Sequence, residues 1–180
     1  MYNFTKTFVF KELIPSFDKF LELYNEYMIE QLYLDNEELE KVYKILFNNY
    51  CNCSIAYDTP NAFYRMFFLE IFNSADDYII KLDMIKKLRE LTVDDLVREY
   101  ETISNVANND NEMITGDSPL YHIVPYITTQ SSSASKGNKA NAILRGLSAY
   151  RDNQVKYFVD KFQYLFLTIF GDYGIYYVNN

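Results

Sequence analysis

Residues 63–72 read FYRMFFLEIF. Just upstream, Thr59 stands where an N-cap belongs, and Pro60 occupies the first helical position, where a missing N–H costs nothing because that group has no intrahelical acceptor. A helix is therefore expected from Pro60 onward. Phe63, Met66, Phe67, Glu70 and Ile71 share one of its sides at three- and four-residue steps, and most of the other side is apolar too. A helix that is apolar all round must be enclosed by others or docked on a neighbouring subunit, and enclosure within the chain is the preferred reading. The expected fold is mainly α: a helical bundle of about five to six helices, with a long C-terminal helix and an extended or β-hairpin insertion before it.

The neighbouring segments carry the same periodicity. Ser16 is placed to cap a helix over 16–34, along which Phe17, Phe20, Leu21, Tyr24, Met28 and Leu32 recur. Asp35 or Asn36 can cap the next, with Glu37 and Glu38 at its positive end and Leu39, Val42, Tyr43, Leu46 and Phe47 as its stripe, ending near Asn49. Ser74 is read as the start of a separate helix carrying Tyr78, Ile79, Leu82, Ile85 and Leu88. Thr92 opens another, with Val93, Leu96, Val97 and Tyr100, in a capping-box arrangement where Asp95 replaces the usual Glu or Gln.

The last helix is expected from near Asn138 to Gly171, about 30 residues and roughly 45 Å long. Its stripe is Leu144, Leu147, Val155, Phe158, Phe162, Leu165 and Ile169, interrupted by Arg151. The opening ten residues alternate loosely and carry Tyr2, Phe4, Phe8 and Phe10, which suits an extended arm whose partner the sequence leaves open. The closing DYGIYYVNN, over 172–180, offers an aromatic extended tail.

Between 106 and 139 the helical pattern stops. A run of Asn and Asp, then Gly116, Pro119 and Pro125, then TTQSSSASKGNK make a polar stretch far longer than an ordinary connection. Its centre, LYHIVPYITT, is β-branched and aromatic and could project as a strand or hairpin, which Pro125 would confine to an edge or break. The organisation read from the chain is thus one helical domain over 1–180, a projecting insertion over 106–139 and an extended tail over 171–180.

Composition bounds the function. Of 180 residues 49% are hydrophobic and 18% aromatic, with 18 Tyr and 14 Phe, so burial can offset the entropy cost of ordering and wholesale disorder is excluded. No early segment joins a charged start, an apolar run and a small-residue cleavage site, and no apolar stretch approaches about 18 residues, so neither secretion nor a membrane span is expected. Cys51 and Cys53 are the only cysteines, and their spacing makes a mutual disulfide awkward, which fits a reducing setting. They read as small, partly buried residues at a helix end.

The net charge of −8 is unevenly placed. Residues 118–151 contain no Asp or Glu, while Lys136, Lys139, Arg145 and Arg151 contribute +4, so the remainder carries −12. Four cations over about 34 positions are too sparse to dominate a nucleic-acid duplex contact, and the overall charge repels phosphate, so a protein partner is preferred over DNA. A solvated loop is the competing reading.

Catalytic sets are missing. His122 is the only imidazole, and with a Cys-x-Cys pair it supplies too few ligands for zinc, so no metal and no cofactor is expected. His122, beside Tyr121, reads as a contact residue. There is no phosphate-binding Gly-rich loop and no nucleophile elbow, and the chain holds only five Gly. Asp76–Asp77 and Asp94–Asp95 could be imagined as acid/base pairs, but each is placed in the first turn of an expected helix, where the dipole favours acids. A non-enzyme is expected.

The order of parts resembles the head-to-tail connector, or adaptor, proteins of tailed bacteriophages: helices before Ser104, the polar insertion, the long helix within ANAILRGLSAYRDNQVKYFVDKFQYLFLTIF, and the tail DYGIYYVNN. The Tyr-, Asn- and Ile-rich composition also looks like translation of an AT-rich genome. The resemblance is architectural and includes no diagnostic short motif. It implies a structural subunit of a homo-oligomeric ring in the virion, assembled in the host cytoplasm, that bridges portal and tail proteins through its insertion and termini. DNA would pass through the channel without sequence-specific contact. The contact residues expected on this reading are Tyr121, His122, Tyr126, Lys136, Lys139, Arg145, Arg151, Tyr173, Tyr176 and Tyr177, with the basic insertion of one subunit meeting the acidic face of the next. The alternative is a phage- or cell-encoded monomeric binding protein that inhibits or regulates a host protein.

Overall fold

The computed structural model describes residues 7–28, 34–109, 135–169 and 175–176. The fold is mainly α, as expected, with six α-helices among the described residues: α1 Phe10–Leu13, α2 Phe17–Tyr27, α3 Asn36–Tyr50, α4 Pro60–Arg89, α5 Val93–Asn109 and α6 Lys136–Asp160. Three short strands accompany them: β1 Ser54–Ile55, β2 Phe166–Ile169 and β3 Ile175–Tyr176. The chain divides into two compact units, Met1–Tyr78 with Val155–Asn180, and Ile79–Gln154. Helices α4 and α6 contribute residues to both.

Several helix starts form as their sequences dictate. The Ser16 hydroxyl accepts from the Lys19 amide at 3.2 Å, and Asp35 and Glu38 close a reciprocal capping box at 2.9 Å each way. Thr92 accepts from the Asp95 amide at 3.2 Å and donates its hydroxyl to the Asp95 carboxylate at 2.7 Å, so Asp95 answers the cap's hydroxyl where the longer acid of a capping box would reach its backbone amide. Helix α2 is shorter than expected and ends at Tyr27.

The expected break at Ser74 does not exist. Residues 60–89 form one 30-residue helix, and Ser74, buried, donates its hydroxyl to the Glu70 carbonyl one turn back at 2.6 Å. A serine bonded this way has no need of a cap position, and burial of Ile71 before it and of Ala75 and Tyr78 after it holds one face of the helix in place across it. Asp76 and Asp77 therefore lie mid-helix rather than in a first turn. Asp94 and Asp95 do occupy the first turn of α5.

The first unit is built on rings. Phe10, Phe20, Phe63, Phe67, Phe68, Phe158, Phe162 and Phe166 are all fully buried. Phe67 packs edge-on against Phe68 at 5.3 Å and Phe162 at 5.6 Å, so one side of the apolar run, with Phe63, Phe67, Phe68 and Ile71, is enclosed within its own chain, while Leu69 and Phe72 keep part of their surface exposed. Tyr50 stacks on Phe166 at 4.2 Å, and Tyr78 on Phe158 at 4.3 Å.

Two further expectations fail here. Residues 8–10 of the opening segment are not part of an arm awaiting a partner: Val9 bridges Ser54, the Ile55 amide donates to the Phe8 carbonyl at 2.9 Å, and Phe10 begins α1 with its ring buried in the core. Residues 1–6 lie outside the described residues. The last helix stops at Asp160 rather than Gly171. Phe162 and Leu165 keep their burial through a single 3-10 turn, after which FLTI becomes the middle strand of an antiparallel sheet ordered β1-β2-β3. Ser54 faces Leu167 and Ile55 faces Phe166 on one side, and Thr168 faces Tyr176 and Ile169 faces Ile175 on the other. An aromatic and β-branched run spaced at three and four cannot be told from a helix by period alone. Its strand partners decide, and they satisfy its amides on both edges.

The second unit packs α5 on α6. Ile85, Leu96, Val97, Tyr100, Ala140, Ile143 and Leu147 form its core, with Leu88, Ile103, Leu144 and Tyr150 partly buried against it. The sequence-expected insertion is shorter than 106–139, since 106–109 end α5 and 136–139 begin α6. Its remaining residues, 110–134, lie outside the described residues. No helix among the described residues is long and apolar enough to cross a membrane.

Candidate functional site

The expected contact residues fall into three groups. Tyr121, His122, Tyr126, Tyr173 and Tyr177 lie outside the described residues. Tyr176 sits in β3, paired through its backbone with Thr168. Lys136, Lys139, Arg145 and Arg151 are all carried by α6.

The four cations do not form one projecting basic surface. Lys136, the first residue of α6, pairs with Asp94 at 2.9 Å, both exposed; that hydrogen bond and charge raise the Lys136 pKa. Lys139 pairs with Glu101 at 2.7 Å. Both acids belong to α5, which thereby meets the start of α6 with opposite charge along the packed apolar seam. Arg151 donates from Nε and a terminal nitrogen to Asp152 at 3.1 and 2.8 Å. The positive charge counted on the insertion is thus answered largely by acids of the same chain, which sequence distance had hidden: 42 residues separate Lys136 from Asp94.

Arg145 is different. With 3.6 residues per turn, nine residues place it on the opposite side of α6 from Lys136. There Asn141, Leu144, Arg145 and Ser148 share a face and, with Arg89 from the last turn of α4, line an open depression of about 410 Å³. Arg89 reaches across to donate to the Ser148 hydroxyl at 2.7 Å, and that hydroxyl in turn donates to the Leu144 carbonyl at 3.0 Å. Neither arginine is paired with a carboxylate among the described residues. Arg89, Asn141 and Ser148 were not legible as site residues: Arg89 is 59 positions from Ser148 and reads as an ordinary cation completing the basic last turn of α4.

Other reactive groups are quiet. Cys51 caps α3 and Cys53 follows it, both free and partly buried, and burial with the neighbouring Cys51 raises the Cys53 thiol pKa, the opposite of an activated nucleophile. Tyr164 donates to Glu70 at 3.1 Å, and its pKa is pushed well up by burial and by that carboxylate. Among the described residues no three His, Cys, Asp or Glu side chains converge as a metal site would require. Compared with known proteins, the chain matches no family model, no curated protein and no solved structure.

Proposed function

We propose that this chain is a non-enzymatic structural subunit of a bacteriophage head-to-tail connector ring in the virion, bridging portal and tail proteins through the insertion between α5 and α6 and through its termini. The observation that carries the reading is apolar surface left in water by elements that are otherwise well packed. In the first unit, Leu69 and Phe72, one turn apart on α4, are 42% and 37% exposed, and Tyr157 is 57% exposed. In the second, Ile80 and Val93 are 58% and 51% exposed. Large apolar side chains left exposed on helices favour a neighbouring protein, and a ring supplies one to every subunit. The cations of α6 are not the assembly contact in this account, since Lys136 and Lys139 already hold α5. The net charge of −8 suits a channel wall that lets DNA pass without trapping its phosphates.

Native mass spectrometry of the purified chain, alone and with candidate portal proteins, tests the reading. Rings or portal-dependent assembly, lost when Leu69→Asp and Phe72→Asp are combined, are the expected result. A persistent monomer that captures a host protein would replace it with the regulatory-binder reading, and turnover of a small substrate would end both.

A further inference from the structure

We propose that the depression between the end of α4 and the middle of α6 in the second unit is a binding site for a small phosphate dianion, gripped by the Arg89 and Arg145 guanidiniums. Charge sets the pair apart from the cations that hold a carboxylate. The chain has 25 acidic residues against 17 lysines and arginines, and Lys19, Lys41, Lys44, Arg98, Lys136, Lys139 and Arg151 each hold a carboxylate. Yet these two arginines, brought together by separate helices, face one hollow with no acid among the described residues between them. Two cations lining one hollow repel, and the bond to Ser148 accounts for Arg89 there but leaves Arg145 without a counterpart unless an anion is shared.

The hydrogen bonding also favours a ligand. Ser148 has both functions committed, accepting from Arg89 and donating to Leu144, so it acts as a positioning residue that fixes one nitrogen of Arg89. A guanidinium carries five N–H donors, so the rest of the Arg89 fork stays available. Arg145 has all of its donors free among the described residues, and the Asn141 amide, one turn before it on the same face, adds a neutral donor. Planar forks of this kind match phosphate oxygens in bidentate fashion, and two of them balance a dianion where a single carboxylate would leave one charge unanswered. Lys86 and Lys87 share the basic last turn of α4, but of the three cations there Arg89 alone bonds across to α6. The helix dipole accounts for a cation in that turn and not for this contact.

The test is an NMR titration of the full chain, following arginine Nε–Hε and backbone amide signals, with inorganic phosphate, a nucleoside monophosphate and acetate as probes at constant ionic strength. Saturable shifts centred on 89, 141, 145 and 148 are expected for phosphate, with a millimolar Kd set by the open, hydrated site. Arg145→Gln, which breaks no bond among the described residues, weakens binding by roughly fivefold or more, and Arg89→Gln does the same. Ser148→Ala leaves both charges in place and gives a smaller loss, while Lys156→Gln, which removes an equal charge elsewhere, leaves affinity unchanged. Tighter binding of the nucleotide than of free phosphate identifies a phosphate ester as the ligand; equal or weaker binding identifies the free ion. The proposal is overturned by the absence of saturation at about 50 mM phosphate, fifty times a millimolar Kd. It is overturned equally by acetate binding as tightly as phosphate, or by Lys156→Gln matching Arg145→Gln.

Discussion

Replacing Phe10 by Ala separates a core residue from a residue of a free arm. Its ring is fully buried and lies 5.4 Å from both Phe67 and Phe166, 6.1 Å from Phe63 and 6.3 Å from Phe47. A buried Phe removes about 200 Å² from water, worth roughly 5 kcal/mol at about 25 cal/mol per Å². Alanine retains part of that burial, while the cavity and the lost edge-on contacts with Phe63 and Phe166 add to the cost. The expected destabilisation is about 4 kcal/mol, within the usual range for Phe→Ala in a core. Against a total of about 5–15 kcal/mol this is a large share. With a urea slope of about 2.5 kcal/mol per M, the midpoint falls by roughly 1.6 M, and Phe10→Leu loses much less because it keeps most of the volume. Urea titrations followed by circular dichroism measure both. A loss of about 0.2 M or less, the size of an ordinary surface substitution, would refute the placement of Phe10 and return it to an arm reaching for an outside partner.

Ser74→Ala is expected to change stability by less than about 0.5 kcal/mol, because the hydroxyl only bonds back to Glu70 within a continuous helix; a loss of about 1 kcal/mol or more would indicate a true N-cap and a broken α4. A double-mutant cycle on Lys139 and Glu101 should give about 0.5 kcal/mol of coupling, and the more exposed Lys136–Asp94 pair less; equal and negligible values for both would remove charge from the account of how α5 meets α6. Alkaline sensitivity follows from the tyrosines. Burial raises the pKa of Tyr50, Tyr164, Tyr43, Tyr57 and Tyr64 above the ordinary value of 10.0. A phenol that holds its proton more tightly when folded contributes stability that is complete below the unfolded value and is lost as pH rises past it. Stability should therefore be flat up to about pH 9 and fall above about pH 10, and Tyr50→Phe should make the fall shallower although it forfeits the bond to the Val159 carbonyl. Stability that stays level through that window would contradict the burial of these rings.

What the amino-acid order determined by itself is local. Ser16, Asp35, Thr59-Pro60 and Thr92 mark helix starts because a cap acts on amides two or three residues away, and the all-round apolarity of residues 63–72 required enclosure. Only tertiary structure decided the rest. Whether Ser74 interrupts a helix depends on packing along both flanks, and whether FLTI is helix or strand depends on Ser54–Ile55 and Ile175–Tyr176 being there to receive its amides. The same holds for charge. Read along the chain, Lys136, Lys139 and Arg145 are three cations in an acid-free stretch; in space two of them meet α5 carboxylates and the third lines a depression together with Arg89, because Coulomb energy depends on distance through the fold and not on position in the sequence.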